Sequence, residues 1–135
     1  FEVTINDQTG DSYAAYLRSK AEARTNFTEK DPTGRSAHTP GAKLDAGKLR
    51  PALVLGGFAR ALTEVSKVGT YGATKYTDNG WRAVPNGLAR YEDALHRHLL
   101  KHQSGEKVDP DSGSTHLAHV AWNALALIEL TKEAE

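Results

Sequence analysis

The fold is decided by residues 51–68, PALVLGGFARALTEVSKV, in which apolar side chains recur every three to four positions. That spacing places them on one side of an α-helix, so the stretch predicts a helix that begins near Pro51 and buries one face. Proline suits the first helical turn, because the N–H that it lacks would have no partner there. The predicted core face consists of Leu55, Phe58, Ala59, Leu62, Val65 and Val68.

Two further helices are predicted from the same spacing. The second follows the Pro-Asn-Gly turn at 85–87, ends at Ser104-Gly105, and buries Leu88, Tyr91, Leu95 and Leu99. The third follows the polar turn at 109–113 and buries Leu117, Val120, Ala121, Leu125 and Ile128. Short loops between such helices favour an all-α fold, a small antiparallel helical bundle. Three helices make a thin core, so we expect a homo-oligomer to complete it.

Residues 1–42 differ from this helical domain, which we place at 43–135. They hold few large aliphatic side chains and are interpreted as an irregular N-terminal arm. Within the arm, alternation at 1–5 predicts a short strand, and residues 11–24 predict a modest helix. Residues 25–47 show no periodicity and predict a linker, or a loop that a partner or ligand orders.

Composition excludes several classes of protein. The 17 basic and 17 acidic residues balance, whereas a duplex nucleic-acid binder normally carries a strong basic excess. A small anionic ligand requires only a local basic cluster. Cysteine is absent, which excludes disulfides and thiolate metal sites. No apolar run approaches the ~20 residues of a membrane span, so we expect a cytoplasmic protein without a membrane partner.

Polar residues form a stripe on each predicted helix, because they repeat at helical spacing. The stripes are Glu64, Lys67, Tyr71 and Lys75 on the first helix, Arg90, Asp93, Arg97 and Lys101 on the second, and His116, His119 and Asn123 on the third. One interpretation is a solvated surface with local ion pairs. The other is a set of stripes that converge on a nucleotide-phosphate site.

The histidines and acids of these stripes are candidate metal ligands. His116 and His119 could share a divalent metal ion with Asp93 or Glu64. Alternatively, carboxylates hold Mg²⁺ or Mn²⁺ while the histidines contact phosphate. Glu106 and the acids of 109–113 could add metal-facing carboxylates, or 109–113 could form only a turn and a helix cap.

Residues 43–50 gather Lys43, Lys48 and Arg50 around Gly47 just before the first helix. Free N–H groups and the helix dipole favour an anion at such a position, and glycine permits a close approach of the backbone. The segment does not match a Walker A loop. It is either a phosphate-binding loop or a flexible basic linker.

Aromatic residues and a cation follow the first helix. Tyr71, Tyr76 and Trp81 with Lys75 suit a platform on which a base stacks beside a phosphate. In the alternative interpretation, Trp81 simply packs onto the bundle.

With these residues named, the stretch 43–130 resembles a family of phage and bacterial dATP/dGTP diphosphohydrolases. The resemblance rests on Lys43-x-Asp45-x-Gly47-Lys48-x-Arg50, on Glu64-Val65-x-Lys67-Val68-x-Thr70-Tyr71-Gly72-Ala73-x-Lys75-Tyr76, and on Trp81. It continues through Arg90-Tyr91-x-Asp93-Ala94-x-x-Arg97-His98-Leu99, Gly105-Glu106-x-x-Asp109-x-x-Ser112-Gly113 and His116-Leu117-Ala118-His119-x-x-x-Asn123.

This resemblance implies an activity that cleaves a purine deoxynucleoside triphosphate to monophosphate and pyrophosphate. A more distant likeness is to the MazG-type all-α pyrophosphohydrolases, in which acids on adjacent helices hold Mg²⁺. Their Glu-Glu-x-x-Glu motif is absent here, and the available acids are Glu64, Asp93 and Glu106.

The leading hypothesis is therefore a metal-dependent enzyme, in the host cytosol if the chain is phage-encoded. Its phosphate-binding residues would be Lys43, Lys48, Arg50, Lys67, Lys75, Arg90 and Arg97. Glu64, Asp93 and Glu106 would hold Mg²⁺ or Mn²⁺, and Glu64, Asp93, His116 and His119 would be catalytic. Tyr71, Tyr76, Trp81 and Asn123 would contact the purine. The alternatives are a nucleotide-binding protein that sequesters or regulates without turnover, and a phage structural accessory protein.

Overall fold

The computed structural model describes residues 14–20 and 28–135. The chain divides into two compact units at the bond between Leu49 and Arg50. The strand predicted at 1–5 lies outside the described residues. Of the helix predicted at 11–24, residues 14–20 are helical and the others lie outside the described part.

In the first unit, residues 28–49 form turns around Asp31, and residues 32–41 of this segment are exposed. The Asp31 carboxylate is buried and accepts hydrogen bonds from the Thr33 hydroxyl, the Thr33 amide and the Lys43 amide. The Thr33 hydroxyl and the Lys43 amide stabilise the charged form and lower the pKa of Asp31 to about 2. Residues 28–47 of the segment predicted to lack regular structure therefore have a defined loop conformation, and residues 25–27 lie outside the described part.

The second unit is helical, as predicted. Its elements are α1 (Ala52–Leu55), α2 (Ala59–Lys75), a 3₁₀ helix (Gly80–Ala83), α3 (Gly87–Gln103) and α4 (His116–Glu133). Among the described residues the only strand-like pairing is an isolated bridge between Val108 and Thr115. The all-α prediction is confirmed.

The helix predicted from Pro51 is divided into α1 and α2. Gly56 and Gly57 separate the two helices, and glycine is a weak helix former because it loses the most backbone freedom on folding. Beyond this break, α2 continues through Gly69 and Gly72 to Lys75.

The boundaries of α3 and α4 follow from local backbone chemistry. Asn86 precedes α3 in the left-handed conformation, which asparagine tolerates, and Gly105 follows the helix with φ of 105°. At the start of α4, the Thr115 hydroxyl accepts a hydrogen bond from the Ala118 amide at 3.2 Å. Thr115 is therefore the N-cap that satisfies one of the free donors of the first turn.

Helix α4 is the centre of the bundle, since it packs against both α2 and α3. It runs antiparallel to α3. His98 near the end of α3 contacts His116 at the start of α4, and Gly87 at the start of α3 lies beside Leu130. The buried apolar residues in the described part of the chain are Val65, Val68, Ala118 and Ala126. A cluster of Trp81, Tyr91 and Trp122 extends this small core.

The predicted core faces are only partly correct. Val65 and Val68 are buried as expected, but Leu55 and Phe58 are exposed. On α4 the predicted core residues Leu117, Leu125 and Ile128 are also exposed, and the buried side is formed by His116, Ala118, His119, Asn123 and Ala126. The cause is that α4 carries apolar residues on both sides, so periodicity alone does not select the inner one.

None of the helices in the described ranges is long and apolar enough to cross a membrane.

The N-cap assignment is tested by Thr115→Ala. Loss of the hydrogen bond to Ala118 should lower the free energy of unfolding by about 1 kcal/mol in urea titrations. Thr63→Ala is the matched control, because the Thr63 hydroxyl is exposed and bonds only to Ala59 of its own helix. Its effect should stay within about 0.5 kcal/mol. Equal effects of the two substitutions would show that Thr115 is no special cap.

Candidate functional site

A pocket of about 1040 Å³ lies between the second half of α2, the 3₁₀ helix, α3 and the middle of α4. This volume is slightly above the usual range for small-molecule sites, ~300–1,000 Å³. The stripes of the three long helices converge here. The predicted site residues that line the pocket are Tyr71, Lys75, Tyr76, Trp81, Arg90, Asp93, Arg97, His119 and Asn123.

Three cations line this pocket: Lys75 on α2, and Arg90 and Arg97 on α3. Within the described residues none of the three forms a salt bridge with a carboxylate. The guanidinium of Arg90 donates only to the Pro85 carbonyl, at 3.3 Å. The lining also holds the carboxylates of Asp78 and Asp93, but none of the three cations forms a salt bridge with them. Three cations and two carboxylates leave a positive balance, which favours an anionic ligand.

Lys75 lies between two tyrosine rings. Its ammonium is 5.8 Å from the centroid of Tyr71 and 5.4 Å from that of Tyr76. The electrostatic influence of Tyr71, and then of Tyr76, raises the pKa of Lys75, so the group stays charged at neutral pH. Cation and aromatic surface are thus side by side, as the sequence predicted for the end of the first helix.

Trp81 lines the pocket and also packs onto the bundle. Its ring meets Trp122 edge to face at 5.6 Å and Tyr91 at 6.4 Å. The Tyr91 hydroxyl donates to the Trp81 carbonyl at 2.8 Å. The Arg82 guanidinium lies 4.6 Å from the Trp81 ring and pairs with Glu133 of α4. The interpretation that Trp81 packs onto the bundle is therefore confirmed, and this packing fixes the ring in the pocket wall.

The predicted acids have different surroundings. Asp93 lines the pocket and forms no hydrogen bond or salt bridge with a described residue, and Asp78 is a second carboxylate in the lining. Glu64 pairs with Lys67 at 2.7 Å, and neither residue lines the pocket. Glu106 accepts from His116 at 2.8 Å, also outside the lining. Among the described residues, no three His, Asp or Glu side chains are grouped closely enough to hold a metal ion.

Residues 109–113 form a turn, as predicted. His119 lines the pocket and contacts this turn through Ser112. Its Nε2 lies 2.7 Å from the Ser112 hydroxyl, which donates to Asp109 at 2.7 Å. Because the Ser112 proton goes to the carboxylate, neutral His119 donates its Nε2–H to Ser112 and keeps the lone pair on Nδ1. Burial lowers the pKa of His119, against the opposing charge of Asp109. The ring is neutral at physiological pH.

His116 is completely buried and does not line the pocket. Its Nε2 donates to Glu106 at 2.8 Å, so its Nδ1 accepts from Nδ1 of His98, also at 2.8 Å. His98 in turn stacks on His119, with ring centroids 4.2 Å apart and an angle of 8° between the planes. The hydrogen bonds from Glu106 through His116 to His98 therefore fix the His98 ring, on which His119 stacks.

Asn123 is buried and lines the pocket. One side-chain N–H donates to the His119 carbonyl at 2.8 Å. Its carbonyl oxygen has no hydrogen-bond donor among the described residues, which leaves an acceptor that suits the polar edge of a base.

The remaining predicted cations include two residues of the first unit and one at the start of the second. Lys43 and Lys48 belong to the first unit, where Lys48 pairs with Glu29 at 2.8 Å and Gly47 has φ of 74°. Arg50 is exposed at the start of the second unit and does not line the pocket.

Sequence reasoning missed three participants: His98, Trp122 and Asp78. His98 lies next to Arg97 but on a different side of α3, so the stripe pattern did not include it. Trp122 stands beside Asn123 in an apolar run and was not distinguished from core. Asp78 lies in the turn sequence Asp-Asn-Gly at 78–80, outside the helical stripes. The adjacency of His98 and Trp122 to predicted site residues is the signal that could have identified them.

The histidine cluster should make stability depend on pH. Burial, followed by the charges of His119 and His116, lowers the pKa of His98 to about 4, whereas an unfolded histidine titrates near ~6.5. Between these values the unfolded state binds more protons, so the free energy of unfolding should fall as pH drops from ~6.5 towards ~4.

Urea titrations across this range test the effect. His98→Gln should flatten the slope, whereas His96→Gln, on the exposed side of the same helix, should retain it. An unchanged slope in His98→Gln would contradict the assignment.

The sequence of the pocket-forming region matches one known family. The family model described as dATP/dGTP diphosphohydrolase, N-terminal, matches residues 38–135, well over half of the chain. Searches of curated proteins and of solved structures find no match. The matched range includes the whole pocket, and the resemblance seen in the sequence motifs is confirmed. The chain belongs to the dATP/dGTP diphosphohydrolase N-terminal family.

Proposed function

We propose that the pocket binds a purine deoxynucleoside triphosphate and that the chain hydrolyses it to monophosphate and pyrophosphate with Mg²⁺ or Mn²⁺. The observation that carries this proposal is the convergence of three unpaired cations, aromatic rings and a free carboxylate on one pocket. Membership of the family supports the substrate class.

The triphosphate is held by Lys75, Arg90 and Arg97. Guanidinium groups bind phosphate oxygens in pairs, and the lysine adds a compact charge. The segment with Lys43, Lys48 and Arg50 remains a separate candidate for phosphate binding, because Gly47 gives its loop a backbone that approaches anions easily.

The purine lies against the aromatic wall. Tyr71 and Tyr76 flank Lys75, and Trp81 is fixed by its own packing, so a base can stack while its phosphates reach the cations. The free carbonyl oxygen of Asn123 accepts a hydrogen bond from a base N–H.

A magnesium or manganese ion would be held by Asp93 and Asp78 together with the substrate phosphates. Mg²⁺ usually retains several waters and uses one or two carboxylates plus substrate phosphates, and Asp93 and Asp78 offer two in the lining. When bound, such an ion polarises the phosphoryl oxygens and activates water. Glu64 and Glu106 would have to exchange their present partners, Lys67 and His116, to join it.

In the hydrolysis, water attacks the α-phosphorus and loses one proton. The bond between the α-phosphorus and the oxygen that bridges it to the β-phosphorus breaks, and this oxygen leaves as part of pyrophosphate. Asp93 orients the water, and neutral His119 accepts the proton through Nδ1 while Ser112 holds its Nε2–H. His116 acts indirectly, since Glu106 and His116 position His98 against His119.

One observation favours a second candidate function. The described residues contain no group of three metal-ligating side chains, so the cations and rings could bind the nucleotide without cleaving it. Incubation of the protein with each deoxynucleoside triphosphate and Mg²⁺ or Mn²⁺ distinguishes the two, because only the enzyme releases pyrophosphate.

Removal of a pocket cation should weaken binding. A hydrogen bond to a charged group contributes ~1.5–3 kcal/mol, so Lys75→Ala, Arg90→Ala and Arg97→Ala should each raise the Kd for dGTP or dATP by roughly tenfold or more. Lys101→Ala is the control on the same helix, since Lys101 is exposed and lies 3.7 Å from Glu106. Wild-type affinity in all three pocket variants, measured by calorimetry, would place the site elsewhere.

Asp93→Asn separates catalysis from binding. The phosphate-binding cations remain, so triphosphate affinity should be within a few-fold of wild type while pyrophosphate release is lost. The matched control is Glu92→Gln, whose carboxylate is on the neighbouring position and lies 3.9 Å from His96. Pyrophosphate release by Asp93→Asn at the wild-type rate would remove Asp93 from the mechanism.

A further inference from the structure

Gly72 lies near the end of α2, at a position where the helix itself does not need a glycine. Its backbone is helical, without the positive φ of Gly47 or Gly105, and the residue that ends the helix is Tyr76. Glycine inside a helix lowers stability relative to alanine, because it loses more backbone freedom on folding. Neither backbone conformation nor helix termination therefore explains this glycine.

The surroundings of Gly72 differ from those of Gly69, one turn earlier on the same helix. A Cβ atom at Gly69 would lie 3.4 Å from the indole nitrogen of Trp122, so the packing of α4 accounts for that glycine. A Cβ atom at Gly72 would meet no described atom within 4 Å, apart from its chain neighbours and the backbone of its own helix. Gly72 nevertheless lines the pocket. Its missing side chain leaves free volume in the pocket and makes room for no other part of the protein.

The pocket wall changes in character along α2. Trp122 packs on Gly69, bare backbone follows at Gly72, and the Lys75 ammonium lies at the end of the helix beside two tyrosine rings. N–H groups inside a helix are used in its own hydrogen bonds, and the carbonyl end of the helix dipole repels anions. The backbone at Gly72 therefore suits an uncharged group, whereas a phosphate is favoured beside Lys75.

Asn123 of α4 points independently to a ligand in the same pocket. It is only 4% exposed, yet it belongs to the pocket lining. Its side-chain N–H donates to the His119 carbonyl, and its carbonyl oxygen has no donor among the described residues. Buried acceptors normally have a partner, so this one is satisfied by a ligand that donates a hydrogen bond. The uncharged part of a nucleotide carries such donors.

We propose that Gly72 is a specificity-determining residue, at which the nucleoside part of the triphosphate lies against the backbone of α2 while its phosphates extend to Lys75. This inference rests on the proposed function. Any side chain at position 72 would occupy the space of the nucleoside. The same absence of a side chain that weakens α2 makes room for the ligand, so stability and affinity should respond to a side chain in opposite directions.

Gly72→Ala and Gly72→Leu test the inference. Both side chains enter open space, and Gly72→Ala should raise the midpoint of urea unfolding, because alanine is the better helix former. Binding is measured by calorimetry with Mg²⁺ and the α,β-methylene analogues of dGTP and dATP, which cannot release pyrophosphate. The added methyl group of Gly72→Ala should raise the Kd for these analogues roughly tenfold or more, and leucine should raise it further. The Kd for inorganic tripolyphosphate, which has no nucleoside, should stay unchanged.

Thr74→Ala is the matched control, since Thr74 is exposed on the same helix and does not line the pocket. It should also raise the urea midpoint, but leave the Kd for the analogues at the wild-type value. Wild-type affinity of both Gly72 variants for the analogues, or an equal loss of tripolyphosphate binding, would refute the placement of the nucleoside. A wild-type protein that binds neither analogue would instead refute the proposed function, and this inference with it.

Discussion

The packing of α3 against α4 is the constraint on which the rest of the structure depends. A hydrogen-bond chain from Glu106 through His116 to His98 joins the two helices at one end of the bundle. A fully buried imidazole requires a partner at each nitrogen, and this chain supplies both. Because His98 is stacked on His119, the same interaction sets the position of a ring in the pocket wall.

The local chemistry of the sequence predicts much of the fold. Pro51, Asn86 and Gly105 lie where helices begin or end, because proline, asparagine and glycine tolerate the backbone conformations of those positions. The division at Gly56-Gly57 was missed, since the apolar spacing continues across it. The inner face of α4 was also missed. Its buried side contains two histidines and an asparagine, which a hydrophobic pattern assigns to the surface, and their burial depends on partners distant in sequence.

The site was predictable to the extent that it follows helical spacing. Arg90, Asp93 and Arg97 share one side of α3, and the fold turns that side towards Lys75 and the aromatic residues after α2. Glu64 and Lys67 follow the same spacing on α2, but they pair with each other outside the pocket. Periodicity determines on which face of a helix a residue lies. It does not determine at which point along the helix axis a neighbouring helix packs. The convergence of the stripes therefore required the tertiary structure.

The charge distribution of the chain leaves a group of cations without salt bridges in one pocket, although the protein as a whole is neutral. Acidic and basic residues are equal in number, yet the pairing is uneven. Lys48, Lys67 and Arg82 have carboxylate partners, whereas the pocket cations have none among the described residues. A local positive potential arises from this arrangement without the net charge that would attract nucleic acid indiscriminately.

Helix α4 joins the core of the bundle to the pocket. It packs against both α2 and α3, and its buried side carries His119 and Asn123 into the pocket wall. The Asn123 side chain donates a hydrogen bond to the His119 carbonyl, and the His119 ring stacks on His98 of α3. The contacts that hold α4 against α3 therefore also position these two polar residues in the pocket.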